Sequence, residues 1–263
     1  MPTSFELFGR DIPFYGVCFW VGIALGCAVM FSLRARKKIE VFDLVSAAVF
    51  TMIGVLIGSK GLFLLITLPE IIENDVPLLA VIKGGFVFYG GMLGGLAGLC
   101  IYVRMYRLNL KDFLDLFALA VPLGHAVGRV GCFISGCCYG IEYSGPLCYT
   151  YSETLGSTPL GVPLLPIQLI ESAALLILFA VNLILYLKNP SKQGRPTSVY
   201  LIGYAVIRFV IEFFRGDRDR GIYFGLSTAQ WVSIGIVTVL GVLWILSVRK
   251  AKKAAVPEGE AEA

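Results

Sequence analysis

Charge is scarce in this chain of 263 residues: Asp, Glu, Lys and Arg together make up 15% of it, where a water-soluble domain carries about a quarter. Long polar stretches are absent too, which leaves no room for a second folded domain. A chain that is 57% hydrophobic with a net charge of +4 is not a soluble globule, and it lacks the basic surplus that would bind nucleic acid. No internal repeat is visible, which argues against a transporter built from inverted halves. The 30 Gly and 12 Pro are dispersed through apolar stretches rather than gathered in a low-complexity tract, so disorder and collagen are excluded and packed membrane helices are favoured.

What the chain does have is apolar sequence in long runs. A hydrocarbon core about 30 Å thick takes roughly 20 helical residues to cross. Seven stretches qualify, near 13–33, 43–67, 86–103, 113–136, 165–187, 197–214 and 226–248. The prediction is an all-α, multi-pass membrane protein with seven transmembrane helices, one domain over 1–248 and a charged tail over 249–263. Fourteen Lys and Arg follow the odd-numbered stretches, against five on the other side. Because cytoplasmic loops carry the excess of positive charge, the N-terminus is expected outside and the C-terminus in the cytoplasm. The first stretch is too long for a signal-peptide core and has no small-residue cleavage site, so it is read as retained. An acidic outer segment is expected from Pro69 to Pro77 and a longer polar one from Gly140 to Pro163. Glycine pairs at 84–85, 90–91 and 94–95 let a helix or a lipid approach the backbone closely.

Against this background the charges inside the runs stand out. Lys60, Arg129, Arg208, Glu171 and Glu212 lie within predicted spans, and Arg215 lies at the end of one. A mid-helix charge costs about 2.5–3.5 kcal/mol on insertion scales, so such groups face the bundle interior, pair, or bind something polar. Lys60 and Arg208, taken singly, could instead snorkel to a surface. Arg129 sits among Gly124, Gly128, Gly131, Gly136 and Gly140, and a guanidinium in a glycine-lined crevice can hold two phosphate oxygens in its planar fork. Glu212 and Arg215, three apart, are expected to share a helical face. The run from Glu212 to Arg220 could also be a solvated, self-paired cluster. Arg129 and Arg215 both fall toward the outer half of the membrane, where together they could hold a lipid phosphate.

This combination resembles the prolipoprotein diacylglyceryl transferases of bacteria, from Tyr15 to about Gln230. The resemblance is carried by Phe14-Tyr15-Gly16, Gly58-Ser-Lys60-Gly61, the segment from Gly84 to Gly91, Gly128-Arg129-Val-Gly131 through Gly140, Pro166-Ile-Gln168-Leu-Ile-Glu171 and Glu212-Phe-Phe-Arg215. It implies an enzyme of the bacterial cytoplasmic membrane. Such an enzyme moves the diacylglyceryl group of phosphatidylglycerol to the lipobox cysteine of a preprolipoprotein signal peptide, forming a thioether and releasing glycerol phosphate. No cofactor is implied. Arg129 and Arg215 match the family's essential arginines, Tyr15 its first-helix tyrosine, Gly140 its glycine, and Glu171 and Glu212 its acidic partners. Lys60 stands where the family has an arginine. Gln168, with Tyr15, Glu171 and Glu212, is expected to orient the head group and the arginines.

The departures gather around the proton acceptor. Tyr89 stands in place of the family's histidine in Phe-His-Gly-Gly, Cys132 in place of an asparagine, Cys137 in place of an acidic residue, and Leu165 in place of a second histidine. The only histidine of the chain is His125, four residues before Arg129 and so on the same helical face. Thiolate is the nucleophile in such a transfer. The candidate bases are therefore His125 or a Tyr89 phenolate favoured by Lys60 or Arg129; a packing role for His125 is the alternative.

Four of the seven cysteines, Cys132, Cys137, Cys138 and Cys148, fall near the outer face. The readings are a disulfide such as Cys138 with Cys148 or plain small-residue packing, a covalent thiol relay, or a metal. The last is disfavoured because Cys-x4-Cys-Cys lacks the Cys-x2-4-Cys plus His spacing of zinc sites. Two rival functions stay open: a membrane transferase with an anionic phospholipid donor and another acceptor, and a lipid-binding or transport protein without chemistry.

Overall fold

The computed structural model describes residues 3–7, 10–73, 85–217 and 221–254. Gly84, Lys83, Arg218 and Arg220, most of the acidic segment toward Pro77, and the tail beyond Ala254 lie outside the described residues. The described residues form seven α-helices: α1 (Phe14–Leu33), α2 (Val41–Glu73), α3 (Phe88–Met105), α4 (Leu110–Ser135), α5 (Ile167–Lys188), α6 (Arg195–Glu212) and α7 (Thr228–Ala254). Each falls on one of the seven apolar stretches. Five are long and apolar enough to cross a membrane: α1 with the 3-10 turn that follows it, α2, α4, α5 and α7. The other two, α3 and α6, have 18 residues each, about 27 Å at 1.5 Å per residue. Five glycines dilute the apolar character of α3, and α6 carries Arg208 and Glu212. Large apolar side chains point outward along the helices, among them Trp20, Ile57, Leu65, Ile177 and Trp244. That is the pattern of a multi-pass protein whose solvent on this face is lipid.

Two helix ends differ from expectation. The expected outer loop at Pro69 is still helix, because α2 runs through that proline to Glu73, as membrane helices allow when freed backbone groups find other partners. The expected tail from 249 is helical as far as Ala254.

The chain divides into two compact units, Phe31–Leu114 and the remainder. In the smaller one α2 and α3 lie backbone against backbone. A Cβ at Gly54, Gly58, Gly94 or Gly98 would collide with the facing helix's main chain: Gly54 with Gly94 O, Gly58 with Gly90 O, Gly94 with Gly54 O and Gly98 with Phe50 O. The neighbour that the glycine pairs admit is thus a helix, held by close van der Waals contact of the kind small-residue stripes permit. Tyr102 there donates to Asp43 at 2.9 Å.

In the larger unit α4, α5 and α6 are tied by buried polar groups. Asp115 accepts from Gly194 N at 2.9 Å and from Thr197 Oγ1 at 2.8 Å, capping the first turn of α6. Asn182 donates to Ala118 O at 3.2 Å and Pro196 O at 3.1 Å, and Ser172 to Ala126 O at 2.8 Å. The start of α7 is a capping box, with Ser227 N donating to Gln230 Oε1 at 2.9 Å and Gln230 N to Ser227 Oγ at 3.3 Å. The segment 139–143 runs between two others. Ile141 N donates to Phe214 O and Gly216 N to Tyr139 O on one side; Leu165 N donates to Ile141 O and Tyr143 N to Pro163 O on the other, all at 3.0 Å.

Candidate active site

Glu171, on the first turns of α5, is 1% exposed and faces cationic partners from two other helices. Arg129 of α4 places Nη2 3.0 Å from Glu171 Oε1, and Arg208 of α6 places Nη1 3.9 Å from Oε2. His125, one turn before Arg129, brings Nε2 to 4.0 Å from Oε1 and meets the Tyr204 ring edge-on at 5.3 Å between centroids. Arg208 also holds Glu212 at 2.7 Å across one helical turn. Among the described residues Arg129 Nε and Arg208 Nη1, both buried, have no hydrogen-bond acceptor; Arg208 Nη1 is the nitrogen that faces Glu171 Oε2, which leaves Arg129 Nε as the donor to spare.

At its C-terminal end α4 stops in a Schellman motif: Cys137 N bonds Cys132 O at 3.1 Å, Gly136 N bonds Phe133 O at 3.2 Å, and Gly136 has φ +66°. The motif folds the sixth residue back over the first, which sets the Cys137 side chain beside that of Cys132. Cys138, at φ 55°, turns its side chain onto the same spot. The three Sγ atoms lie within 4.8 Å of one another. Gln168 supports the turn from below, donating Nε2 to Cys137 O at 2.8 Å. The neighbouring Cys132 and Cys137 thiols, and after them the Arg215 guanidinium, hold the Cys138 thiol below its ordinary range; the Cys132 and Cys138 sulfurs, together with burial, push the Cys137 thiol up.

Arg215 lies just past α6, where its backbone pairs with Gly140 in an antiparallel bridge. Its side chain is 5% exposed and forks onto Asp217, Nε to Oδ1 at 3.1 Å and Nη2 to Oδ2 at 2.8 Å. Burial raises the Asp217 carboxyl, and Arg215 offsets part of that. Gly140 is the point where three segments cross: a Cβ there would collide with Leu165 O, and one at Gly216 would collide with Gly140 O. Arg129 and Arg215 converge on the thiols, the first near Cys132 and Cys138, the second on Cys138.

Residues 2–246 match the family model described as prolipoprotein diacylglyceryl transferase. A Clostridium tetani protein named phosphatidylglycerol-prolipoprotein diacylglyceryl transferase is 32% identical over 96% of this chain and 99% of its own. Proteins of the same activity name from Clostridium perfringens and Dehalococcoides mccartyi are each 31% identical, over 94% of both chains and 96% of both chains respectively. The chain belongs to the prolipoprotein diacylglyceryl transferase family.

For this diacylglyceryl transferase family member, the larger unit gathers most of the residues nominated from sequence. Arg129, His125, Glu171, Glu212, Gln168, Gly140 and Arg215 are joined by the contacts above. Tyr15 joins them at the start of α1, since a Cβ on Gly131 would come 3.3 Å from its ring. Lys60 and Tyr89 belong to the other unit. There the Lys60 ammonium lies 4.8 Å from the Phe63 ring centroid, 5.1 Å from that of Phe86 and 3.5 Å from Gly85 O.

Three expectations are corrected. Glu212 pairs with Arg208 and not with Arg215, because α6 ends at Glu212 and Arg215 leaves the helical face. Arg208 does not snorkel; its side chain is 13% exposed and holds two carboxylates. The disulfide between Cys138 and Cys148 is not formed: all seven cysteines are free, and Cys148 is exposed. Arg208, Tyr204 and Asp217 were not nominated as site residues. The i,i+4 spacing of Arg208 and Glu212 was the available signal for the first.

Proposed function

We propose that this protein transfers the diacylglyceryl group of phosphatidylglycerol to the lipobox cysteine of a prolipoprotein. The names and nearly complete coverage of its relatives support the reaction class. The observation that carries the donor site is the pair of buried guanidiniums, Arg129 and Arg208, held on Glu171, with Arg129 Nε left without an acceptor among the described residues. A lipid phosphodiester entering from the outer leaflet would take that donor, with Arg215 beside the thiols as a further cation.

The chemistry follows from that placement. As the acceptor thiolate attacks the glyceryl carbon, the C–O bond to phosphate breaks and negative charge grows on the departing glycerol phosphate. Preorganised cationic donors in a water-poor site stabilise that charge more than they stabilise the intact phosphodiester. Glu171 fixes the guanidinium planes, and His125 acts on Arg129 through Glu171 as a positioning residue. In this reading residues 1–248 form one seven-span domain of the bacterial cytoplasmic membrane, N-terminus outside, with the site open sideways to the lipid.

The test is transfer of labelled diacylglyceryl from phosphatidylglycerol to a lipobox peptide in liposomes. Thioether product is expected from the unaltered protein, and a fall of about 10²–10³ in rate for Arg129→Ala. Lipid binding that needs Arg129, with no product from the unaltered protein, would reduce the protein to a phospholipid-binding one.

A further inference from the structure

We propose that Cys132, Cys137 and Cys138 form a three-thiolate site for a thiophilic divalent metal such as zinc, whose fourth position receives and activates the acceptor thiol. This inference rests on the transfer reaction proposed above.

The geometry comes first. Tetrahedral sulfur ligands at a Zn–S length of about 2.3 Å stand roughly 3.8 Å apart, and the three Sγ atoms already lie within 4.8 Å of one another. Closing to metal distance takes small rotations of side chains whose backbone is fixed by the Schellman motif. The spacing that spoke against zinc in the sequence loses its force here. A rule of two to four intervening residues describes a tight turn between ligands, whereas a Schellman cap juxtaposes the first and sixth residues of its turn.

The number of ligands bears on the role. Structural zinc sites are closed by four protein ligands, and catalytic sites keep three plus an open position. Among the described residues this group has three members. Cys148 is exposed and stands outside the group. Three thiols also fit a disulfide poorly, since any pairing strands one sulfur.

The charge balance fits as well. A divalent ion with three thiolates carries a net charge of −1, and −2 once a fourth thiolate binds. The guanidiniums of Arg129 and Arg215 flank the cluster on its Cys132 and Cys138 sides. Binding a metal ion deprotonates a coordinating thiol outright, so the acceptor would need no separate base. That is the function for which the chain has Tyr89 in place of the expected histidine.

The step balances without redox change. The acceptor thiol binds the metal and its proton passes to water. The metal-bound thiolate then attacks the glyceryl carbon, forming C–S as the C–O bond to phosphate breaks, and glycerol phosphate leaves with the electron pair. The neutral thioether is a weak ligand and departs, leaving the metal on its three cysteines.

The experiment uses the full chain in detergent, stripped by chelator and titrated with Co²⁺ or Zn²⁺. One equivalent bound per chain is expected, with a thiolate-to-cobalt charge-transfer band that changes when a cysteine peptide is added and not when its serine counterpart is. Cys132→Ser, Cys137→Ser and Cys138→Ser should each weaken binding at least tenfold, and Cys148→Ser should leave it unchanged. Chelation should cut transfer at least tenfold, with recovery on zinc addition. No binding beyond that of a triple-serine variant overturns the site. Binding with a band indifferent to the cysteine peptide overturns the activating role. If the metal and peptide responses are present but no form transfers diacylglyceryl, the reaction falls and the metal site stands.

Discussion

At Glu171 one carboxylate serves two guanidiniums and an imidazole in a site that water hardly enters. Such a network adds little over an apolar core of equal volume, but removing one member strands the rest. Glu171→Gln should lose about 3–5 kcal/mol, read as a lowered midpoint of unfolding in mixed micelles; an unchanged midpoint would mean that the arginines are solvated after all. Arg129→Lys separates charge from shape. It keeps a cation near Glu171 but loses the planar fork, so the fold should persist while transfer falls about 100-fold. Sequence made the intramembrane charges visible because they are costly in hydrocarbon. It could not pair them: Glu212 was expected to share a face with Arg215, and the end of α6 turns Arg215 away and leaves Glu212 to Arg208.

At the scale of elements, α2 and α3 come closest where glycine faces glycine, at Gly54, Gly58, Gly90 and Gly94, so that stretch of their contact tolerates no bulk. Gly94→Leu would drive a side chain into the Gly54 carbonyl and the Gly58 backbone. Overpacking of this kind costs about 1–3 kcal/mol. A double-cysteine crosslink across the α2–α3 pair, efficient in the unaltered glycine background, should then fail. Gly136→Ala meets two obstacles at the α4 cap: a left-handed φ, costing about 1–2 kcal/mol for a residue with a side chain, and the Thr154 side chain. It should loosen the Cys132–Cys137 approach, seen as slower crosslinking of the two by a short reagent with two thiol-alkylating ends. The described helices were legible because hydrophobic length is a strong signal. Their ends were not, since α2 continues past Pro69, and two-residue strands such as Tyr149–Thr150 and Pro163–Leu164 leave no periodicity to read.

For the molecule as a whole, the testable matter is which way it faces. Cys148 is exposed in the segment between α4 and α5. With the N-terminus outside, a membrane-impermeant maleimide should label it in intact cells, and Cys148→Ser should abolish that signal; labelling only after lysis would invert the topology. The count of positive residues supplied this orientation because insertion responds to charge near span ends. Neither charge nor hydropathy could reveal that a helix cap gathers three thiols.

The ladder through 139–143 couples parts of the protein that are distant in sequence. That segment bonds the end of α6 on one side and the approach to α5 on the other, so lifting it carries the Arg215 backbone along. Entry of a peptide over this strand and relaxation of the grip on a spent phosphate would then be one swing rather than two. Steady-state kinetics should show a compulsory order, with glycerol phosphate competing against the incoming peptide instead of leaving independently of it.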